Sequence, residues 1–83
     1  MKYRDRIDIV SSVLEVANVG DDTKKTRIMY NANLSHDQLK EYLTVLTERD
    51  LLSYDLDSHT FKTTEKGLRF LEIYNRMDGM TRA

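Results

Sequence analysis

Apolar residues recur at spacings of three and four in the middle of the chain, over the stretch LSHDQLKEYLTVLTERD from Leu34 to Asp50. The apolar positions inside it are Leu39, Tyr42, Leu43 and Leu46. Such spacing places these side chains on one side of an α-helix. Ser35, followed three residues later by Gln38, is the pair that forms a capping box at a helix start. The pattern therefore predicts a helix over about residues 36–49.

Two further helices are predicted near the ends of the chain, at about residues 5–18 and 64–78, and each carries two neighbouring apolar stripes. A surface helix of a monomer needs only one stripe. The second stripe of the first helix indicates either unusually full burial or a dimer face, and both interpretations stay open. Since a chain of this length builds little core of its own, we expect a homodimer. The predicted interface residues are Ile9, Val13, Val16, Phe70, Ile73 and Met77.

A short helix at about residues 23–31 is predicted between Gly20, which suits a helix end, and the turn NANL. Asp22 or Thr23 is expected to cap it. Its first turns hold three cations: Lys24, Lys25 and Arg27. Cations at a helix start are unfavourable with the helix dipole, so helix stability does not explain them. They are either a solvated surface or a set of phosphate contacts, and we favour the second interpretation.

The period of the pattern changes after the central helix. LLSYDL and TFKT are rich in apolar, aromatic and β-branched residues, and the turn formers Asp57, Ser58 and His59 separate them. This predicts a two-stranded hairpin, a wing, over about residues 51–63. The order helix, short helix, helix, hairpin, helix predicts a mainly helical α+β fold, a winged helix-turn-helix, as a single domain over residues 1–83.

Composition excludes several kinds of protein. With 83 residues and no cysteine, the chain has neither disulfides nor thiolate metal sites, and we predict no metal, cofactor or small-molecule ligand. No apolar run reaches membrane-spanning length, so we expect a cytoplasmic protein. The three glycines form no phosphate loop. Ser35 beside His36, and Ser58 beside His59, are sequence neighbours, which does not build a nucleophile and base; we predict that the chain is not an enzyme.

Several short motifs make a resemblance specific. Four motifs follow one another along the chain: K-T-R-I-M-Y at 25–30, N-L-S at 33–35, Q-L-K-x-Y-L at 38–43 and F-K-T-T-E-K-G at 61–67. In these motifs the chain resembles the small archaeal winged-helix proteins classed as transcriptional regulators, over about residues 7–74. The resemblance implies a DNA-binding protein of an archaeal cytoplasm that regulates transcription, commonly as a homodimer.

If the resemblance holds, the helix that starts at Ser35 enters the major groove of duplex DNA, with its first turns nearest the bases. The predicted groove contacts are Ser35, His36, Gln38, Lys40 and Thr44. The short basic helix is expected to bind phosphates through Lys24, Lys25 and Arg27. His59 and Lys62 would reach DNA from the wing.

The negative charges of the central helix argue against DNA binding. Asp37, Glu41 and Glu48 are expected on its open side, where they would repel phosphate. The net charge of −1 adds no general attraction to DNA. The alternative is a dimeric winged-helix adaptor that binds protein and does not contact DNA. A DNA-binding protein needs its cations on one surface beside the open side of the helix, whereas an adaptor tolerates them scattered.

Overall fold

The computed structural model describes residues 5–19 and 23–82, and within these the side chains up to residue 77. The elements in order are α1 Arg6–Asn18, α2 Lys25–Asn31, α3 His36–Glu48, β1 Leu52–Asp55, β2 Thr60–Thr63 and α4 Glu65–Arg82. The strands form one antiparallel hairpin. Helices packed around a two-stranded wing are the predicted winged helix-turn-helix, and the fold class is confirmed.

The start of α1 is fixed by its own side chains. Asp5 Oδ1 accepts from the Asp8 amide at 2.9 Å, and the Asp8 carboxylate accepts from the Asp5 amide, which together form a capping box. The helix then buries most of one side. Val13, Leu14 and Ala17 have no exposed surface. The second apolar stripe of α1, Ile9, Val13 and Val16, is thus buried or partly buried within one chain.

This burial corrects part of the predicted dimer interface. Ile9 and Val13 belong to the core of the domain, with 9% and 0% of their surface exposed. They contact other buried residues of the same chain and cannot form a face for a second chain. The prediction was wrong because spacing alone does not separate an unusually buried helix from an intermolecular one.

Thr23 has a different role from the predicted helix cap. Its carbonyl accepts from the Phe61 amide at 2.7 Å, so the segment before α2 adds a short bridge to the edge of the wing. Its side chain is fully buried. Lys24 occupies the cap position of α2, without a side-chain hydrogen bond. Gly20 and Asp22, the other two residues predicted at this junction, lie outside the described residues.

Three tight turns are made by residues with positive φ angles: Asn33 at 57°, Asp50 at 63° and His59 at 58°. Asn33 lies between α2 and α3, Asp50 between α3 and β1, and His59 at the tip of the wing. Asn, Asp and His adopt this conformation more readily than other residues with a side chain. These turns let α3 follow α2 closely and return the chain directly into the wing.

The TTEKG segment connects the start of α4 to the end of α3. Thr63 is buried and donates from Oγ1 to the Leu14 carbonyl at 2.6 Å. Thr64 Oγ1 accepts from the Gly67 amide and donates to the Asp50 carbonyl. A Cβ on Gly67 would lie 2.5 Å from the Leu51 carbonyl oxygen. This part of the motif thus supports the fold.

The last helix extends beyond its predicted end. α4 continues through Gly79 to Arg82, past its predicted end at about residue 78. Glycine lowers helix stability without preventing a helix, so its presence alone was a weak stop signal. The Tyr74 hydroxyl donates to Asp8 Oδ1 and connects α4 to α1.

Candidate nucleic-acid interface

One side of α3 faces α2 and forms a groove of about 500 Å³ with it. Met29, Leu39 and Leu43 line its floor, and polar side chains surround them. These polar residues are Lys25, Thr26, His36, Asp37, Lys40 and Thr44. Lys25 and Lys40 come from different helices, so the groove brings together cations that lie 15 residues apart in the sequence.

A second recess, of about 480 Å³, separates α2 from the wing. It is lined by Lys24, Lys25, Thr26, Tyr54, His59 and Phe61. The rings of Tyr54 and Phe61 pack at a centroid distance of 4.7 Å. The Tyr54 hydroxyl is hydrogen-bonded to His59 Nδ1 at 2.8 Å. These contacts hold the aromatic side chains of the wing beside the two lysines.

Because Lys25 and Thr26 line both cavities, the groove and the recess form one continuous surface. We call it the basic face and define it by Lys24, Lys25, Thr26, His36, Lys40, Thr44, Tyr54 and His59. All eight side chains are exposed. Among the described residues that line the two cavities, Asp37 is the one carboxylate. The geometry suits an elongated polyanion that runs from the first turns of α3 across α2 to the wing.

Thr26 and Tyr54 were not predicted as site residues. Thr26 lies between Lys25 and Arg27, two predicted phosphate contacts, and this position was a usable signal that it belongs to the site. Tyr54 pairs with Phe61 across the hairpin, and the sequence indicated both only as residues of the predicted strands. Without the register of the hairpin, the sequence could not show that they lie next to α2.

Two predicted phosphate contacts lie elsewhere. Arg27 borders a separate depression with Glu15, Val16, Val19 and Asn31, on the side of α2 that faces the end of α1. Lys62 pairs with Ser53, one position along from the Tyr54–Phe61 pair. Since successive side chains of a strand point to opposite faces, Lys62 lies on the other face of the wing from the recess. The structure thus brings Lys24 and Lys25 together and separates Arg27 and Lys62 from them.

Ser35 and Gln38 are hydrogen-bonded to each other at the start of α3. Ser35 Oγ accepts from the Gln38 amide at 3.2 Å, and Gln38 Oε1 accepts from the Ser35 amide at 3.0 Å. The predicted capping box is present. The capping hydrogen bond holds the Gln38 carbonyl oxygen toward the Ser35 amide, whereas bidentate pairing with adenine requires the oxygen and the NH₂ group to face the base together.

The outward stripe of α3 is acidic. The helix buries Leu39, Leu43 and Leu46, and the residues opposite them include Asp37, Glu41 and Glu48, all exposed. Glu41 is paired with Arg6 of α1 at 3.3 Å, on the side away from α2. The cations of the basic face therefore flank this stripe and do not cover it.

The remaining residues of the predicted dimer interface differ in exposure. Val16 and Phe70 are partly buried and pack against the core. Ile73 and Met77 are 58% and 59% exposed. They lie four residues apart on α4, so they share one side of the helix.

In the part of the chain that the structure describes, no three His, Asp or Glu side chains come together as a group that could hold a metal ion. None of the described helices is both long enough and apolar enough to cross a membrane.

The arrangement of four helices, a two-stranded wing and a groove between α2 and α3 defines a winged-helix protein. The winged helix-turn-helix family model matches residues 3–82, and the chain belongs to that family. The structure is similar to the crystal structure of Sso10a-2, a DNA-binding protein from Sulfolobus solfataricus, with a TM-score of 0.77. That match has 21% identity and covers 95% of this chain and 83% of the other. No curated protein matches the chain in sequence.

Proposed function

We propose that this protein binds duplex DNA through its basic face and regulates transcription. The observation that carries the proposal is the position of Lys24, Lys25 and Lys40 on one continuous exposed surface beside the first turns of α3. Lysines in such an arrangement bind phosphates and supply most of the sequence-independent affinity. The winged-helix family and the fold shared with a DNA-binding protein support the same function.

The charge distribution favours an off-centre approach of the DNA. If the outward stripe of α3 faced the major groove squarely, Asp37 and Glu48 would meet phosphates on either side. A duplex displaced toward α2 and the wing meets Lys24, Lys25 and Lys40 and moves away from Glu48, while Asp37, which lines the same groove as Lys25 and Lys40, stays close to the phosphates. In that orientation His36 and Lys40 are the side chains of α3 best placed for base edges, and His59 and Tyr54 contact the backbone. Lys40 suits guanine, which presents two acceptors.

Fluorescence anisotropy on a labelled generic duplex at several salt concentrations tests this proposal. The Lys24→Ala/Lys25→Ala variant should bind more weakly. Its slope of log affinity against log salt should be shallower by about 2, because each lost phosphate contact removes about 0.9 from the slope. The Arg27→Ala/Lys62→Ala variant is the matched control: it loses the same charge from positions away from the basic face, and its slope should stay close to that of the wild type.

Two results would count against the proposal. Equal losses in both variants would mean that total charge, and not the basic face, determines binding. If the folded wild type did not bind even at low salt, the protein-binding adaptor would replace the DNA-binding protein as the interpretation. Circular dichroism of every variant verifies that the fold is retained.

Two further proposals concern the state of the protein in the cell. We infer a homodimer whose contact includes Ile73 and Met77, because these large apolar side chains are exposed on one side of α4. We also infer an archaeal cytoplasm as the location, because DNA is accessible there and the motifs resemble those of archaeal regulators.

A further inference from the structure

A second groove lies on the opposite side of α3 from the basic face, where the chain leaves α3 and α4 begins. Its volume is about 530 Å³. It is lined by Arg49, Leu51, Lys66, Arg69, Phe70 and Ile73. We call it the rear groove. It continues between α1 and α3 into a neighbouring depression that shares Arg49, Leu51 and Phe70. That depression is also lined by Val10, Tyr42, Val45, Leu46 and the ion-paired Arg6 and Glu41.

The floor of the rear groove is apolar and partly open. Leu51 and Phe70 pack against the core while keeping part of their surface accessible. Val45 and Ile73, toward the two ends, are 39% and 58% exposed. An apolar floor of this kind gives little affinity for a phosphate backbone, which needs donors and cations. It suits the apolar side of a peptide helix.

The rim of the rear groove is basic. In the part of the chain that the structure describes, each polar residue lining it is a cation: Arg49, Lys66 or Arg69. Lys66 Nζ donates to the Arg49 carbonyl at 3.0 Å, which places the lysine over the end of α3. Arg69 is 3.5 Å from Glu65, but both are largely exposed, so this pair leaves Arg69 able to change partner.

Charge argues against a second copy of this chain over the floor of the rear groove, Leu51 and Phe70; the homodimer inferred above uses Ile73, at one end of the groove, and Met77, which does not line it. In a two-fold contact, the same surface of both chains meets, so the basic rims would come close to each other. Like charges brought together at an interface are unfavourable. The complementary partner has carboxylates along both edges of an apolar stripe.

We propose that the rear groove binds an acidic amphipathic helix of another protein. The apolar stripe of that helix packs on Leu51 and Phe70, and its carboxylates pair with Arg49, Lys66 and Arg69. Because the rear groove and the basic face lie on opposite sides of α3, the partner and DNA can bind at the same time. The inference stands on its own charges and contacts and does not depend on DNA binding.

The test uses two labelled peptides of about four helical turns. Both have leucines at positions i, i+3, i+4 and i+7; one has glutamates beside this stripe and the other has lysines there. Anisotropy measures their binding to the full chain. We expect the acidic peptide to bind and the basic peptide to bind at least about tenfold more weakly. Amide chemical shifts of the labelled protein should change around Leu51 and Phe70.

The Arg49→Ala/Arg69→Ala variant should bind the acidic peptide about tenfold more weakly, since it removes two rim cations and leaves the core intact. The Lys24→Ala/Lys25→Ala variant is the matched control, with two cations removed from the basic face. Its peptide affinity should stay within about twofold of the wild type. DNA binding by the Arg49→Ala/Arg69→Ala variant should also stay near the wild-type value, which separates this proposal from the proposed function.

Three results would overturn the inference. Both peptides could bind equally well, which would make the contact purely apolar. The shifts could cluster on α2 and the wing, which would place the acidic peptide on the basic face. The amide signals of Leu51 and Phe70 could change with protein concentration alone, which would make a second copy the occupant.

Discussion

Gly67 lies in the first turn of α4 against the backbone of the α3–β1 junction. A Cβ at this position would lie 2.5 Å from the Leu51 carbonyl oxygen and 2.6 Å from Thr63 Cγ2. Neither neighbour can move freely, because one is backbone and the other is buried. We predict that Gly67→Ala destabilises the domain by about 2 kcal/mol, even though alanine favours a helix by about 1 kcal/mol over glycine. Urea unfolding followed by circular dichroism measures the change.

Asn75→Ala is the control for that experiment, since Asn75 is exposed on the same helix. Its effect should stay within about 0.5 kcal/mol. If Gly67→Ala were as stable as the wild type, the close approach of α4 to Leu51 would not restrict this position, and the glycine of the motif would need another explanation.

Single residues also mark what the sequence could and could not predict. The cap formed by Ser35 and Gln38 was predictable because it is local: two residues three positions apart form both hydrogen bonds. The burial of Val13 and the bridge from Thr23 to Phe61 were not, because they depend on elements distant in the chain. Arg27 was grouped with Lys24 and Lys25 on sequence proximity. However, the two steps along α2 from Lys25 to Arg27 turn the side chain by about 200° to another side of the helix, and Lys24 lies before the helix.

At the scale of elements, helix α3 carries charges of opposite sign on two adjacent sides. Its outward stripe holds Glu41 and Glu48, and the side facing α2 holds Lys40. Asp37 lies at the boundary between them, where it also lines the groove. The apolar spacing predicted the buried side of the helix correctly. It did not predict which exposed residues would face α2 and which would face α1 and α4, because that depends on where the other helices pack.

The position of Asp37 leads to a prediction for DNA binding. Asp37 lines the groove with Lys25 and Lys40, whereas Glu48 lies 11 residues further along α3, or about 16 Å. If DNA lies over the basic face, removing the carboxylate of Asp37 removes a repulsion close to the phosphates. We expect Asp37→Asn to raise the affinity for a generic duplex about threefold at low salt, measured by anisotropy.

Glu48→Gln removes the same charge at the far end of the helix, and we expect a smaller increase. If the order were reversed, the DNA would lie over the C-terminal half of α3, contrary to the proposed approach. Thermal unfolding of both variants should accompany the comparison, because Asp37 lies in the first turn of α3, where a carboxylate also favours the helix dipole.

At the scale of the whole molecule, a net charge of −1 conceals strong segregation of charge. Cations border the basic face and the rear groove, while carboxylates occupy the outward stripe of α3 between them. The rear groove could not be predicted from the sequence, because its cations come from the end of α3 and the start of α4, which only the TTEKG contacts bring together. A composition that argued against DNA binding is thus compatible with a local surface that attracts DNA.

The proposed homodimer leads to a testable prediction, because the stability of a dimer depends on protein concentration. Ile73 and Met77 are exposed on one side of α4. Because a chain of 83 residues buries little apolar surface by itself, burying these two side chains against a second copy would stabilise the fold. If the dimer is the folded state, the midpoint of thermal unfolding should rise with protein concentration. In an Ile73→Glu/Met77→Glu variant the unfolding midpoint should be lower and independent of protein concentration.

Leu68→Glu is the control, since Leu68 lies on the other side of α4; the unfolding midpoint of this variant should still rise with protein concentration. Sedimentation equilibrium gives the mass directly, and a single-chain mass for the wild type at all concentrations would rule out the dimer.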